Sequence, residues 1–248
     1  MPKQKKVTET TTTVTTTTTT TTTAPKLVVD FFLLDESGSM GSVRSTTISS
    51  VNEYITMAKN DAAKYGMDST ISILKFDNEL RWICQNVDIN SVAPLTNETY
   101  SPRGGTALND ATGTAINHLK TLLAGREKSD NVDVTLTIFT DGYENASKEF
   151  PGIGNAALTA LVKDVQTNFG WTIAYAGAGP REEVVRAAQN LGVIASNTLS
   201  YDAGVAGTTT AFASLGVARS MKSMNYSKGI KSNTGYVTNE KKEETTTT

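Results

Sequence analysis

Three short segments carry side chains whose types and spacing allow chemistry. "DESGSM", at 35–40, offers one carboxylate and two hydroxyls at every second position: Asp35, Ser37 and Ser39. "RGGTALND", at 103–110, sets Thr106 behind paired glycines, and "FTDGYENAS", at 139–147, presents Asp141 followed by Gly142. Together they make a donor set of two carboxylates and three hydroxyls, all oxygen. Such donors suit a hard divalent cation: Mg²⁺ takes about six oxygens at about 2.1 Å, with waters often among them. A tight loop can aim alternate side chains at one point, which accounts for the one-residue spacing. Hydroxyls do not neutralise a dication. An ion held this way keeps net positive character and attracts an anion at an open coordination position.

Each segment lies where the pattern predicts a junction between elements. "KLVVDFFLL", at 26–34, is an apolar run broken only by Asp30, and it reads as a central strand covered on both faces. Val51, Tyr54, Ile55, Ala58 and Ala62 recur at helical spacing, so 43–65 reads as a helix with Gly66 as its stop. Strands follow at 69–76 and 80–89, joined by the turn signal "DNE" as a hairpin. A polar loop leads to a helix bearing Leu108, Ala111, Ala115, Leu119 and Leu122. Beyond it come a strand at 132–140, a helix through Leu158, Val162 and Val165, and a strand at 171–177. A short helix at 181–190, a weak strand within 193–201 and a helix at 208–224 complete the alternation. The expected fold is α/β: a doubly wound, mostly parallel six-stranded sheet with one antiparallel edge strand and helices on both faces. In such sheets, ligands bind at the carboxyl ends of the strands, where all three segments fall.

The set Asp35-x-Ser37-x-Ser39, Thr106 and Asp141-Gly142, with "GGTAL" and "TDG" around it, resembles the metal-ion-dependent adhesion site of von Willebrand factor A domains. The resemblance covers roughly 26–224, and its wording is similar to bacterial and phage-borne members. It implies one Mg²⁺ (or Mn²⁺ or Ca²⁺), with Ser37, Ser39 and Thr106 coordinating directly. Asp35 and Asp141 would act directly or through water, and an Asp or Glu from a protein partner would complete the shell. Met40, Arg103, Tyr143, Glu144 and Asn145 adjoin these loops and are candidates for setting partner specificity. Arg103 is the one able to pair with a second carboxylate.

Each polar residue also has a plainer reading, since Asp, Ser and Thr at helix starts are usually N-caps. Other chemistries lack their parts. No glycine-rich phosphate loop follows the first strand. Asp35 has no second carboxylate at its third position, as a phosphotransfer aspartate would. His118, the single histidine, lies beside a helix stripe away from the three loops, and the lone Cys84 alternates with Leu80 and Trp82 as a core position. An enzyme is therefore not expected. A metal-dependent protein-binding module leads. A regulatory or assembly component beside an ATPase, kinase or phosphatase, or a phage or surface structural protein, is the alternative.

The 248 residues are 38% hydrophobic and 19% charged, with formal net charge −2, which gives no basic surplus for nucleic acid. A single cysteine allows no internal disulfide. Residues 8–23 are nearly all threonine, and the chain ends "KKEETTTT". Both stretches lack the apolar side chains needed for a core. The expected organisation is a Thr-rich tail at 1–25, the domain at 26–230 and a polar tail at 231–248. No signal peptide of the usual form and no membrane span is read, so a cytoplasmic or virion-associated location is expected.

Overall fold

A computed structural model describes residues 26–237. The Thr-rich stretch and the final residues lie outside that range. Six strands form one sheet in the order β3-β2-β1-β4-β5-β6. They are β1 (Leu27–Asp35), β2 (Asp68–Phe76), β3 (Leu80–Asp88), β4 (Val132–Thr140), β5 (Thr172–Ala178) and β6 (Thr198–Tyr201). All neighbours run parallel except β2 and β3. Five helices connect them: α1 (Arg44–Tyr65), α2 (Leu108–Leu122), α3 (Ala156–Asn168), α4 (Arg181–Leu191) and α5 (Val205–Ser227).

β1 and β4 are buried along nearly their whole length, as parallel strands covered on both faces must be. One face packs β1 residues Phe32 and Leu34 against α1 and α5, through Tyr54, Ile55, Phe212 and Leu215. The other packs Phe31 and Leu33 against α2, α3 and α4, through Ala115, Leu119, Val162 and Ala188. The chain leaves β1 toward β2 on one side and later returns to β4 on the other. The crevice between the carboxyl ends of β1 and β4 is thus the topological switch point.

The structure differs from the sequence reading in several places. A 3-10 turn at Gly38–Val43 precedes α1, so the helix starts at Arg44. A second short turn at Ala195–Asn197 confines β6 to Thr198–Tyr201. α5 runs longer at both ends than 208–224. Gly66 does stop α1, in a left-handed conformation with φ 60°. Cys84 is half-buried against the α1 face, and His118 is wedged between Phe31 and Trp82, at ring distances of 5.9 and 4.8 Å.

Past α5 the chain does not leave the body at 231. The Asn233 amide donates to the Gln166 carbonyl at 2.6 Å, and Asn197 accepts from the Tyr236 N–H at 3.0 Å. Tyr236 and Val237 then sink into the α1–α5 core. This aromatic–aliphatic pair is enough to fasten an otherwise polar segment, because burying two such side chains is worth a few kcal/mol.

Candidate metal site

The β1 strand ends on Asp35, whose backbone carbonyl accepts a 2.6 Å hydrogen bond from the buried Tyr100 hydroxyl. The end of β4 is held likewise, with the Tyr201 hydroxyl donating to the Thr140 carbonyl at 3.0 Å. Thr140 joins the two loops: its hydroxyl donates to Asp35 Oδ2 at 2.5 Å and accepts from the Gly142 N–H at 3.0 Å. Asp35 Oδ1 accepts from the Ser37 N–H at 2.7 Å. Ser37 Oγ and Ser39 Oγ stand 3.1 Å apart, and Ser39 Oγ donates to Asp141 Oδ1 at 2.7 Å. Asp35, Ser37, Ser39 and Asp141 are therefore joined by hydrogen bonds across two loops.

Thr106 reaches the same place by a separate route. Gly104 and Gly105 let its loop pass close, with the Gly38 N–H donating to the Gly104 carbonyl at 3.1 Å. Asn78 accepts from the Gly105 N–H, and Asn145 Oδ1 accepts from the Thr106 N–H at 2.9 Å. A Cβ on Gly142 would lie 3.0 Å from Thr106 Oγ1 and 3.7 Å from Asp35 Oδ2. The absent side chain at 142 keeps that corner open between the two donors.

None of the hydroxyls is spent on capping. The N-cap of α2 is Ala107 and that of α1 is Val43, and neither makes a side-chain cap bond. The start of α2 is instead capped from the β4–α3 loop. Glu144 accepts from the Asn109 N–H at 2.8 Å, and Ser147 Oγ accepts from the Asp110 N–H at 3.0 Å. Asp110 in turn accepts from the N–H groups of Lys148 and Phe150, at 2.7 and 2.9 Å. Glu144 and Asn145, expected to face a partner, thus hold the loops together. Met40 is fully buried, and Arg103 bonds Asp77 at 3.0 Å and Glu79 at 3.4 Å. Of the five expected specificity residues, Tyr143 remains as an exposed side chain without a structural duty in the loop core.

The electrostatics single out two carboxylates. Asp35 is fully buried, and that burial pushes its carboxyl up to about 6, against the opposing hydrogen bonds from Thr140 and Ser37. Burial likewise raises Asp141. Among the described residues neither forms an ion pair, because the nearby cations are committed to other acids. Lys75 and Arg81 bond the buried Glu36 at 2.9 and 2.7 Å, and Arg81 also bonds Asp77 at 2.7 Å. Sequence reasoning missed Thr140 and Glu36, whose partner side chains lie 39 or more residues away, and Asp77, which is bonded both by Arg81 nearby and by Arg103 from another loop.

The donors fit a hard divalent ion. In an octahedral shell with bonds near 2.1 Å, adjacent donors stand about 3.0 Å apart. The Ser37–Ser39 and Ser39–Asp141 separations, 3.1 and 2.7 Å, bracket that value. Among the described residues no three Cys, His, Asp or Glu side chains gather as a metal cluster.

The sequence matches no family model and no curated protein. Solved structures do match in shape. The vWF domain of the type V pili tip protein Mfa5 from Porphyromonas gingivalis is 14% identical with TM-score 0.55, the alignment covering 80% of this chain and 97% of that one. The pilus adhesin SpaC from Lactobacillus rhamnosus GG is 13% identical with TM-score 0.60, over 81% of this chain and 30% of SpaC. Proximal thread matrix protein 1 from the mussel byssus, with a zinc-occupied MIDAS motif, is 13% identical with TM-score 0.50, over 79% of this chain and 46% of that protein. The chain thus spans less than half the length of the adhesin and of the mussel protein. At these identities the likeness establishes the architecture: the chain has the von Willebrand factor A fold.

Proposed function

We propose that this chain is a protein-binding module that holds one divalent cation, Mg²⁺ by preference, and engages an acidic residue of its partner. The observation that carries the reading is the meeting of Asp35, Ser37, Ser39, Thr106 and Asp141 at the switch point, with no cation among the described residues paired to the two carboxylates. Ser37, Ser39 and Thr106 would hold the ion, with Asp35 and Asp141 bonding it or its waters. When bound, the ion supplies an electrophilic centre that a partner carboxylate can complete. The protein's own part is orientation. Thr140 and the two buried tyrosines fix the strand ends, and Asn145 and Asn78 fix the loop that carries Thr106. The oxygen-only donor set favours Mg²⁺ or Mn²⁺ over Zn²⁺, although the mussel protein shows that a zinc-occupied MIDAS motif forms on this fold.

A binding role is favoured over catalysis because no nucleophile stands with a base among the described residues. His118 packs against aromatic rings, away from the three loops. The adhesin and pilus-tip neighbours point the same way. No helix among the described residues is long and apolar enough to cross a membrane.

A pull-down in Mg²⁺ and in EDTA, with circular dichroism alongside, tests the reading. Partner capture should vanish in EDTA and in the Ser37→Ala/Ser39→Ala variant while the domain stays folded. Capture that survives both would place the recognition surface elsewhere.

A further inference from the structure

Beside the three loops lies a cavity of about 270 Å³ between the start of α2, the β4–α3 loop and α4. Its apolar walls are Leu108, Tyr143, Ile153, Tyr175, Ala187 and Leu191, and polar side chains including Asn109 and Asn190 line the rest. Two of these wall residues are exposed to a degree unusual for their type, Ile153 at 67% and Tyr143 at 54%. The cavity continues the metal face directly, since Tyr143 stands two residues after Asp141 and Leu108 two after Thr106. Its volume falls just below the range of small-molecule sites and suits one large side chain.

Tyr175 is the second observation. It lies on β5 and is 2% exposed, yet its hydroxyl makes no hydrogen bond among the described residues and the residue lines the cavity. Its oxygen is open to the cavity, where water or a ligand can meet it. Tyr100 and Tyr201, by contrast, donate their hydroxyls to carbonyls at strand ends. Gly177 admits the Tyr175 ring, because a Cβ there would meet its Cε1 at 2.8 Å. The rim is electrically balanced: Glu183 accepts from the Tyr143 hydroxyl at 2.9 Å, and Arg186 stands one helical turn from Glu183 on α4. Glu144 is already saturated by the cap of α2. The two rim charges, Glu183 and Arg186, form no ion pair among the described residues but sum to zero, so the rim favours neither sign of insert. A neutral aromatic with a hydrogen-bonding tip matches both the walls and the free hydroxyl.

We infer that this cavity receives a tyrosine side chain from the same partner segment that brings its carboxylate to the metal. The inference rests on the metal-dependent reading above, and it makes the recognised feature bipartite: an acidic residue and a tyrosine a short distance apart on one extended segment. The apolar anchor would then supply much of the affinity, and the carboxylate the metal dependence.

Two-dimensional NMR of the ¹⁵N-labelled full chain tests it with defined probes. N-acetyl-tyrosinamide should shift the amides of Tyr175, Ala187 and Leu191 saturably, with or without Mg²⁺. N-acetyl-phenylalaninamide should bind several-fold more weakly, and Tyr175→Phe should remove that difference. Ile153→Glu, on an exposed loop where it cannot disrupt the core, should weaken tyrosinamide binding at least fivefold. In a series of peptides acetyl-Asp-(Gly)n-Tyr-amide, with n from one to five, one spacing should bind about tenfold tighter than tyrosinamide in Mg²⁺, and EDTA should abolish that gain. Absence of saturable shifts at these amides, or equal binding by Ile153→Glu, overturns the cavity assignment even if Mg²⁺ shifts the Gly38 and Gly142 amides. Tyrosinamide binding with no peptide gain overturns the bipartite partner. If Mg²⁺ then also leaves Gly38 and Gly142 unmoved, it is the metal reading that has failed.

Discussion

The two ends of the same pair of strands treat buried carboxylates in opposite ways. Near the amino ends of β1 and β4, each acid has a cation from α5. Arg219, itself 2% exposed, bonds Asp30 at 2.7 Å and Asp61 at 3.0 Å, and Lys222 bonds Asp133 at 2.7 Å. At the carboxyl ends, Asp35 and Asp141 have hydroxyls and backbone N–H groups for company and no cation. The first group shares two cations among three acids and serves to fasten α5. At the carboxyl ends Lys75, Arg81 and Arg103 are taken by Glu36 and Asp77, which leaves Asp35 and Asp141 without a cation, and an ion from solution would make up the difference. Burial of a charged group is costly unless it is paired, so the imbalance marks where the proposed cation would be gained.

The comparison can be broken from either side. Replacing Arg219 by Met should have the largest effect, a loss of about 3–5 kcal/mol in chemical denaturation, because Asp30 and Asp61 would be left buried without a partner. Asp35→Asn should do the reverse in metal-free protein. The carboxyl of Asp35 is raised to about 6, so the folded state holds its proton over a pH range where the unfolded chain has released it. This contribution to stability is complete below about pH 4 and lost as pH rises through 6. At neutral pH the amide variant should therefore be more stable by up to roughly 3 kcal/mol, with a flatter profile of melting temperature against pH. A variant that melts lower than the parent at pH 7 would show Asp35 to be a structural group.

Smaller effects sharpen the picture. Tyr236→Ala should cost about 2–4 kcal/mol by opening the core where the C-terminal segment docks. Deleting 1–23 and 241–248 should leave the melting temperature nearly unchanged, because threonine tracts bury little apolar area. Gly142→Ala should weaken Mg²⁺ about tenfold in calorimetry with little change in melting, as its Cβ would press on Thr106 Oγ1.

Much of this was readable in the sequence because it is local or periodic. The α/β alternation follows from apolar spacing, and the proposed ligand set from short segments at strand ends. What escaped depends on pairs far apart in the chain. Asp30 reads only as a flaw in an apolar strand until Arg219, 189 residues away, comes to meet it. The capping of α2 by Glu144 and Ser147 is equally invisible, since a cap donated by another loop leaves no pattern at the helix itself. Tyr236 and Val237 sit in a polar stretch without periodicity, so nothing in the pattern announced that they would be buried.

Proton release on metal binding tests the central claim most directly. Calorimetric titration of Mg²⁺ at pH 6, in two buffers of different ionisation enthalpy, counts the protons displaced. With the Asp35 carboxyl near 6, one bound ion should release roughly half a proton or more, and affinity should fall as the solution is made more acidic. Asp35→Asn and Ser37→Ala/Ser39→Ala should each abolish binding. Binding of equal strength in all three proteins, or binding that displaces no proton, would contradict the account that these unpaired carboxylates await a cation.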